Sequence, residues 1–106
     1  MNKRTKALSI TPGVRRVVEA RDSWSGVPCC VFCGTPYNVR GEAHYVKRSQ
    51  SGLGIEQNLL TVCRPCHNEL DFGRTREMML ERAKAYLQSK YEDWSEEMLV
   101  YSRFEK

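Results

Sequence analysis

Two Cys-x-x-Cys knuckles, Cys30–Cys33 and Cys63–Cys66, constrain this chain more than any other feature of it. Four thiolates in two such pairs make a soft, tetrahedral donor set that suits zinc. Each pair can reach one ion only if the backbone turns sharply between its sulfurs, and Pro28, Gly34 and Pro36 around the first knuckle supply that turn. A thioredoxin-type redox role uses one such pair at a helix start and gives no reason for two. The reading is a structural zinc centre that ties two distant stretches of chain together. Cys29 is the odd thiol: it adjoins Cys30, but only Cys30 has the two-residue spacing to Cys33.

At 106 residues the chain reads as one domain, with a core small enough to gain from such a staple. A metal is preferred to disulfides because the start, MNKRTKALSI, has no apolar run for a secretory leader. No later stretch approaches the ~18 apolar residues of a membrane span. The expectation is a soluble, cytoplasmic protein with reduced thiols and no membrane partner. Its formal net charge of +4 is uneven, since residues 1–16 carry Lys3, Arg4, Lys6, Arg15 and Arg16 and no acid. Residues 1–10 read as a loose basic arm, suited either to a polyanion, whose condensed counterions it would release, or simply to solubility.

Residues 11–106 are expected to form the single domain, with a core at 27–73 and a helical extension at 74–106. Thr11-Pro12 is a helix start, Thr as N-cap and Pro where its missing N–H costs nothing. Val14, Val17 and Val18 follow at helical spacing, and the helix is expected to end near Asp22–Gly26 with its valines on the zinc unit. Residues 42–47 (EAHYVK) read as a short strand, with Glu42, His44 and Val46 on one face and Ala43, Tyr45 and Lys47 on the other. A glycine-containing loop leads to a second extended run, Leu59–Val62. The segment after Cys66 has helical character, so His67 and Asp71, four apart, would share a face. TREMMLERAKAYLQSKY reads as a strong helix with Met78, Met79, Ala83, Tyr86 and Leu87 as packing positions. Met98, Leu99, Tyr101 and Phe104 suggest a last apolar segment that docks on the domain or on another chain.

Both histidines of the protein lie in or directly after the segment that the knuckles enclose. The order His44, Asn58, His67 between flanking cysteine pairs resembles the HNH endonuclease family, whose fold is the ββα-metal unit. Small phage-type members with a four-cysteine zinc site are especially similar. The resemblance rests on the run AHYVKRSQSGLGIEQN from Ala43 to Asn58, on C-x-x-C-H at Cys63–His67, and on YLQSKYEDWSEEMLVY near the C-terminus. It is close over about residues 14–73.

The resemblance implies an α+β fold: a zinc-stapled ββα-metal core flanked by N- and C-terminal helices. It also implies a metal-dependent DNA endonuclease that leaves 5′-phosphate and 3′-hydroxyl ends. His44 would be the general base toward the attacking water, a task for which a side chain titrating near neutrality is suited. A divalent ion, Mg²⁺ or Mn²⁺, would stabilise the leaving oxygen, with His67 as its expected ligand. Asn58 would either hold the loop that orients His44 or coordinate the ion. Lys47 and Arg48 would contact phosphate, with solvated surface charge as the plain alternative.

One position departs from the family pattern. Many members place Asp or His, a metal ligand, immediately before the base, where this chain has Ala43. Asp71 is the best replacement and Glu42 the weaker one; a helix-end cap or salt bridge is the competing role for Asp71. The partners implied are DNA and, from the phage resemblance, packaging proteins, with the chain a monomer or homodimer. Two further readings remain: a non-catalytic zinc-stabilised nucleic-acid-binding module, which Ala43 favours, and a zinc-bearing protein that binds only proteins.

Overall fold

The computed structural model describes residues 2–102, and Phe104 lies outside them. The fold is α+β. The helices are α1 (Lys3–Leu8), α2 (Pro12–Arg21), α3 (Arg64–Phe72) and α4 (Arg76–Lys90). The strands are β1 (Ser23–Trp24), β2 (Val27–Pro28), β3 (Val39–His44) and β4 (Leu59–Cys63). No helix among the described residues is long and apolar enough to cross a membrane.

The organising unit is β3, β4 and α3. β3 and β4 pair antiparallel, with Ala43 opposite Leu60 and His44 opposite Leu59, and a register shift between Arg40 and Ala43. All of β4 is buried, and Leu60, Val62 and Ala43 join a core with Leu70, Met79, Ala83, Leu87, Trp94 and Leu99. α3 follows β4 directly and starts at Arg64, earlier than the stretch after Cys66 that the sequence marked. Pro65 sits in its first turn, where it interrupts no helical hydrogen bond.

β3 is displaced toward the N-terminus from the expected 42–47. The reason lies in Asn58, whose side chain takes both backbone groups of Val46 and so removes them from the ladder. The alternation itself holds, with Ala43 buried and Glu42 and His44 half-buried on the opposite face.

α2 begins as read, its N-cap Thr11 accepting from the Val14 N–H at 3.1 Å. Only Val18 of its three valines is buried, and Val17 is exposed. The helix is fastened by charge as well. Asp22, 6% exposed, accepts from Arg21, the Thr61 N–H at 2.9 Å and the Tyr86 hydroxyl. Arg21 also donates to the carbonyls of Glu56 and Leu59. One Arg-Asp dipeptide therefore binds α2, β4, α4 and the loop that carries Asn58. The short β1–β2 hairpin was not evident from the sequence; Ser25 and Gly26, both with positive φ, make its turn.

α4 buries Met79, Ala83 and Leu87 at four-residue spacing, whereas Met78 points to solvent. The last apolar segment docks on its own domain: Leu99 is fully buried, and Leu99 and Ser51 carbonyls accept from Leu53 and Tyr101 N–H groups.

Residues 1–10, expected to be a loose arm, contain α1. Asn2 caps it through the Thr5 N–H at 2.7 Å, and Leu8 is 2% exposed. Its partner is the long loop between the strands, where Gly54 donates to the Ala7 carbonyl at 3.0 Å. A Cβ on Gly54 would come within 2.2 Å of the Ser9 carbonyl oxygen, so only glycine permits this approach. One buried leucine and a complementary backbone, neither visible as periodicity, hold the segment in place.

Candidate metal centre and histidine cleft

The two knuckles meet. Cys30 and Cys33 come from the loop after β2, Cys63 from the end of β4 and Cys66 from the first turn of α3, and their sulfurs all lie within 4.8 Å of one another. Cys33 and Cys63 Sγ are 3.6 Å apart. Sulfurs bound to one tetrahedral zinc sit roughly 3.8 Å apart, given Zn–S bonds of ~2.3 Å. The cluster is thus able to hold a metal ion such as zinc. Gly34, at φ +81°, allows the turn that closes the first knuckle.

The knuckle also prepares thiolates. Burial disfavours the Cys30 thiolate, yet N–H groups of Cys33 and Phe32 aimed at its sulfur bring the thiol down to about 7. Cys63 and Cys66 are pushed up by burial and, at Cys66, by the neighbouring cysteines. Crowded sulfurs that cannot all ionise alone are what a cation resolves. Cys29 stands apart, its thiol donating to the Val27 carbonyl at 3.2 Å.

On another face of α3 a cleft of about 250 Å³ is lined by His44, Lys47, Arg48, His67, Asp71 and Phe72. His44 reaches it from the end of β3, and His67 and Asp71 from successive turns of α3. His67 Nε2 and Asp71 Oδ2 are 3.5 Å apart, and both side chains are partly exposed. One divalent ion can span donors at that separation, because its bonds to N and O are each about 2.0–2.2 Å. Lys47, which also lines the cleft, donates to the Asp71 carbonyl at 3.1 Å.

His44 Nε2 lies 3.4 Å from the Leu8 carbonyl oxygen. When that nitrogen carries the proton and donates, the other ring nitrogen is left as the basic one. Burial holds the imidazole below its ordinary 6.5; the Leu8 carbonyl raises it, Arg48 and His67 lower it, and Asp71 raises it. The anchoring carbonyl belongs to α1, and nothing in the sequence signals it, since any residue at position 8 offers one.

Asn58 is fully buried. Its Oδ1 accepts from the Val46 N–H at 2.8 Å, and its Nδ2 donates to the carbonyls of Val46 at 3.1 Å and Leu53 at 2.8 Å. Its own carbonyl accepts from Tyr45. Of the two roles the sequence left open, this geometry leaves loop-holding, because no donor atom of the amide faces the cleft. The amide of Asn58 is fully engaged with the Val46 and Leu53 backbone. It clamps the segment immediately after His44.

Ala43 is fully buried opposite Leu60. An acid there would enter the apolar core, and position 43 does not line the cleft. Glu42 is engaged elsewhere, paired with Arg15 at 2.8 Å and Arg40 at 3.5 Å. Burial raises its carboxyl, but those arginines hold it below the usual range. Beside the first cleft is a second, about 370 Å³, that shares His67 and is bordered by Asn38, Arg40, Glu42 and Arg64. Sequence reasoning missed Arg64, which lies in a knuckle it treated as structural.

No protein-family model, curated protein or solved structure matches the chain.

Proposed function

We propose that this chain is a metal-dependent HNH-type endonuclease that hydrolyses DNA phosphodiester bonds, with a structural zinc at the four cysteines. The observation that carries the reading is the convergence of His44, His67 and Asp71 on one cleft of a β3–β4–α3 unit, with Asn58 pinning the loop between the strands.

In this reading His44, held through Nε2 by the Leu8 carbonyl, takes the proton of the attacking water on its other ring nitrogen. His67 and Asp71 would hold the divalent ion, Mg²⁺ or Mn²⁺, which when bound supplies charge stabilisation for the leaving oxygen. Arg48 and Lys47 face the same cleft and orient the phosphate. The products would carry 5′-phosphate and 3′-hydroxyl ends, and one site per chain cuts one strand at a time. A cytoplasmic role in phage DNA processing, beside packaging proteins, follows from the motif resemblance.

Incubation of supercoiled plasmid with Mg²⁺, Mn²⁺ or no added ion tests the proposal. Nicked product that needs the ion and carries 5′-phosphate ends supports it, and intact plasmid under every ion opposes it. A second reading, a zinc-stabilised module that binds nucleic acid without cutting, is favoured by Ala43. It predicts retarded but uncut DNA.

A further inference from the structure

Phe72 is 85% exposed, the most exposed of the large apolar side chains among the described residues. It stands at the last position of α3, next to Asp71, and lines the same cleft as His44 and His67. It contributes almost nothing to the core, so packing does not account for an aromatic ring at this place. Lys47 Nζ lies 5.7 Å from the ring centroid, which fixes a cation against the ring and leaves most of its surface in water.

The surroundings point to a strand more than to a small molecule. The two clefts share His67, so a strand that passes His67 and Asp71 can follow one into the other as a single track. Arg40 and Arg64 border one arm of it, and Lys47 and Arg48 the other. The Arg64 and Arg48 guanidinium groups make no hydrogen bond or ion pair among the described residues, so both are free to meet phosphates. A duplex keeps its base faces stacked inside, out of reach of a ring on the wall of such a track. An unpaired base presents its face, and any base can stack on an aromatic ring.

We propose that Phe72 is a base-stacking platform that makes unpaired nucleotides, in single-stranded or locally opened DNA, the preferred occupant of this track. Placing a phosphate at His67 and Asp71 rests on the nuclease reading, but the stacking itself does not need cleavage. A base hung from a strand that follows the arginines meets the ring beside Lys47. Backbone cations give the affinity, and the ring gives the preference for an open strand.

The test is fluorescence anisotropy of a labelled oligothymidylate and of a matched duplex, with the full chain and no added divalent ion. Wild type should bind the single strand more tightly than the duplex. Phe72→Ala should weaken the single strand about tenfold and change the duplex less than twofold, and Phe72→Trp should restore wild-type binding. Because the side chain is almost wholly exposed, both variants should keep the wild-type metal content and melting curve. A wild type without single-strand preference, equal losses on both probes, or no loss on either overturns the proposal. The preference can stand while plasmid stays uncut under every ion, which would sink only the nuclease reading. Cleavage with no effect of Phe72→Ala on either probe would sink only the platform.

Discussion

Cys66 and His67 are consecutive residues on one helix, yet they belong to environments with opposite properties. A step of one residue turns the helix by about 100°, which separates the sulfur cluster from the cleft. On the cysteine side the donor atoms are within 4.8 Å of each other, and Cys30 and Cys63 are almost wholly buried. On the histidine side the donors are partly exposed, and the space before them is lined with cations. A closed four-donor set stabilises a fold, whereas a set with open positions leaves room for water and substrate. The same helix thus carries a cluster able to hold a metal on one face and, in the proposed reading, reactive groups on the other, which the cluster would hold in place.

The sharpest way to break this contrast is Cys63→Ser. If the cluster is the staple, the variant loses its metal and its cooperative melt together, since metal binding in a small domain is folding free energy, about 10–16 kcal/mol in isolated zinc-finger peptides. Metal analysis and circular dichroism on one sample check it, and a metal-free variant that still melts cooperatively would refute it. Next in size is Asn58→Ala, which removes three side-chain hydrogen bonds from a buried site. A loss of about 2–4 kcal/mol in urea unfolding is expected, with metal content unchanged, because the clamp serves the cleft and not the cysteines.

A smaller effect concerns pH. Burial keeps His44 below 6.5, so the neutral base predominates at pH 6.5 and is lost as pH falls through its lowered value. Cleavage should level off at higher pH and fall about tenfold per unit beneath the titration. An acid limb centred above 6.5 in a pH–rate profile would contradict the burial argument. Smallest is Glu42→Gln. Its ion pairs with Arg15 and Arg40 are partly exposed and contribute about 0–1 kcal/mol. Stability and cleavage should barely change, and a large loss of cleavage would return Glu42 to the role of ligand.

What was legible from the sequence was local. The knuckle spacing, the Thr11-Pro12 cap, three of the five packing positions read on α4 and the pairing of His67 with Asp71 are each set within a few residues, where spacing exposes them. What was not legible was long-range. The docking of α1 depends on Gly54 yielding room to Ser9, and the anchoring of His44 on a backbone carbonyl that no residue type announces. The end of β3 depends on an asparagine twelve positions from the Val46 backbone that it captures. The role of Asp22 needs α2, β4 and α4 at once; read alone, it marks only a helix end.

The most direct measurement takes one preparation of His44→Ala and determines its zinc content, its melting curve and its rate of plasmid nicking with Mg²⁺ or Mn²⁺. Full zinc content, a wild-type melt and nicking reduced about 100-fold or more, the contribution expected of a general base, would establish a stapled fold carrying a separate reactive cleft. Nicking at the wild-type rate would remove His44 from the chemistry. Loss of zinc together with nicking would show that the two faces of α3 are not independent.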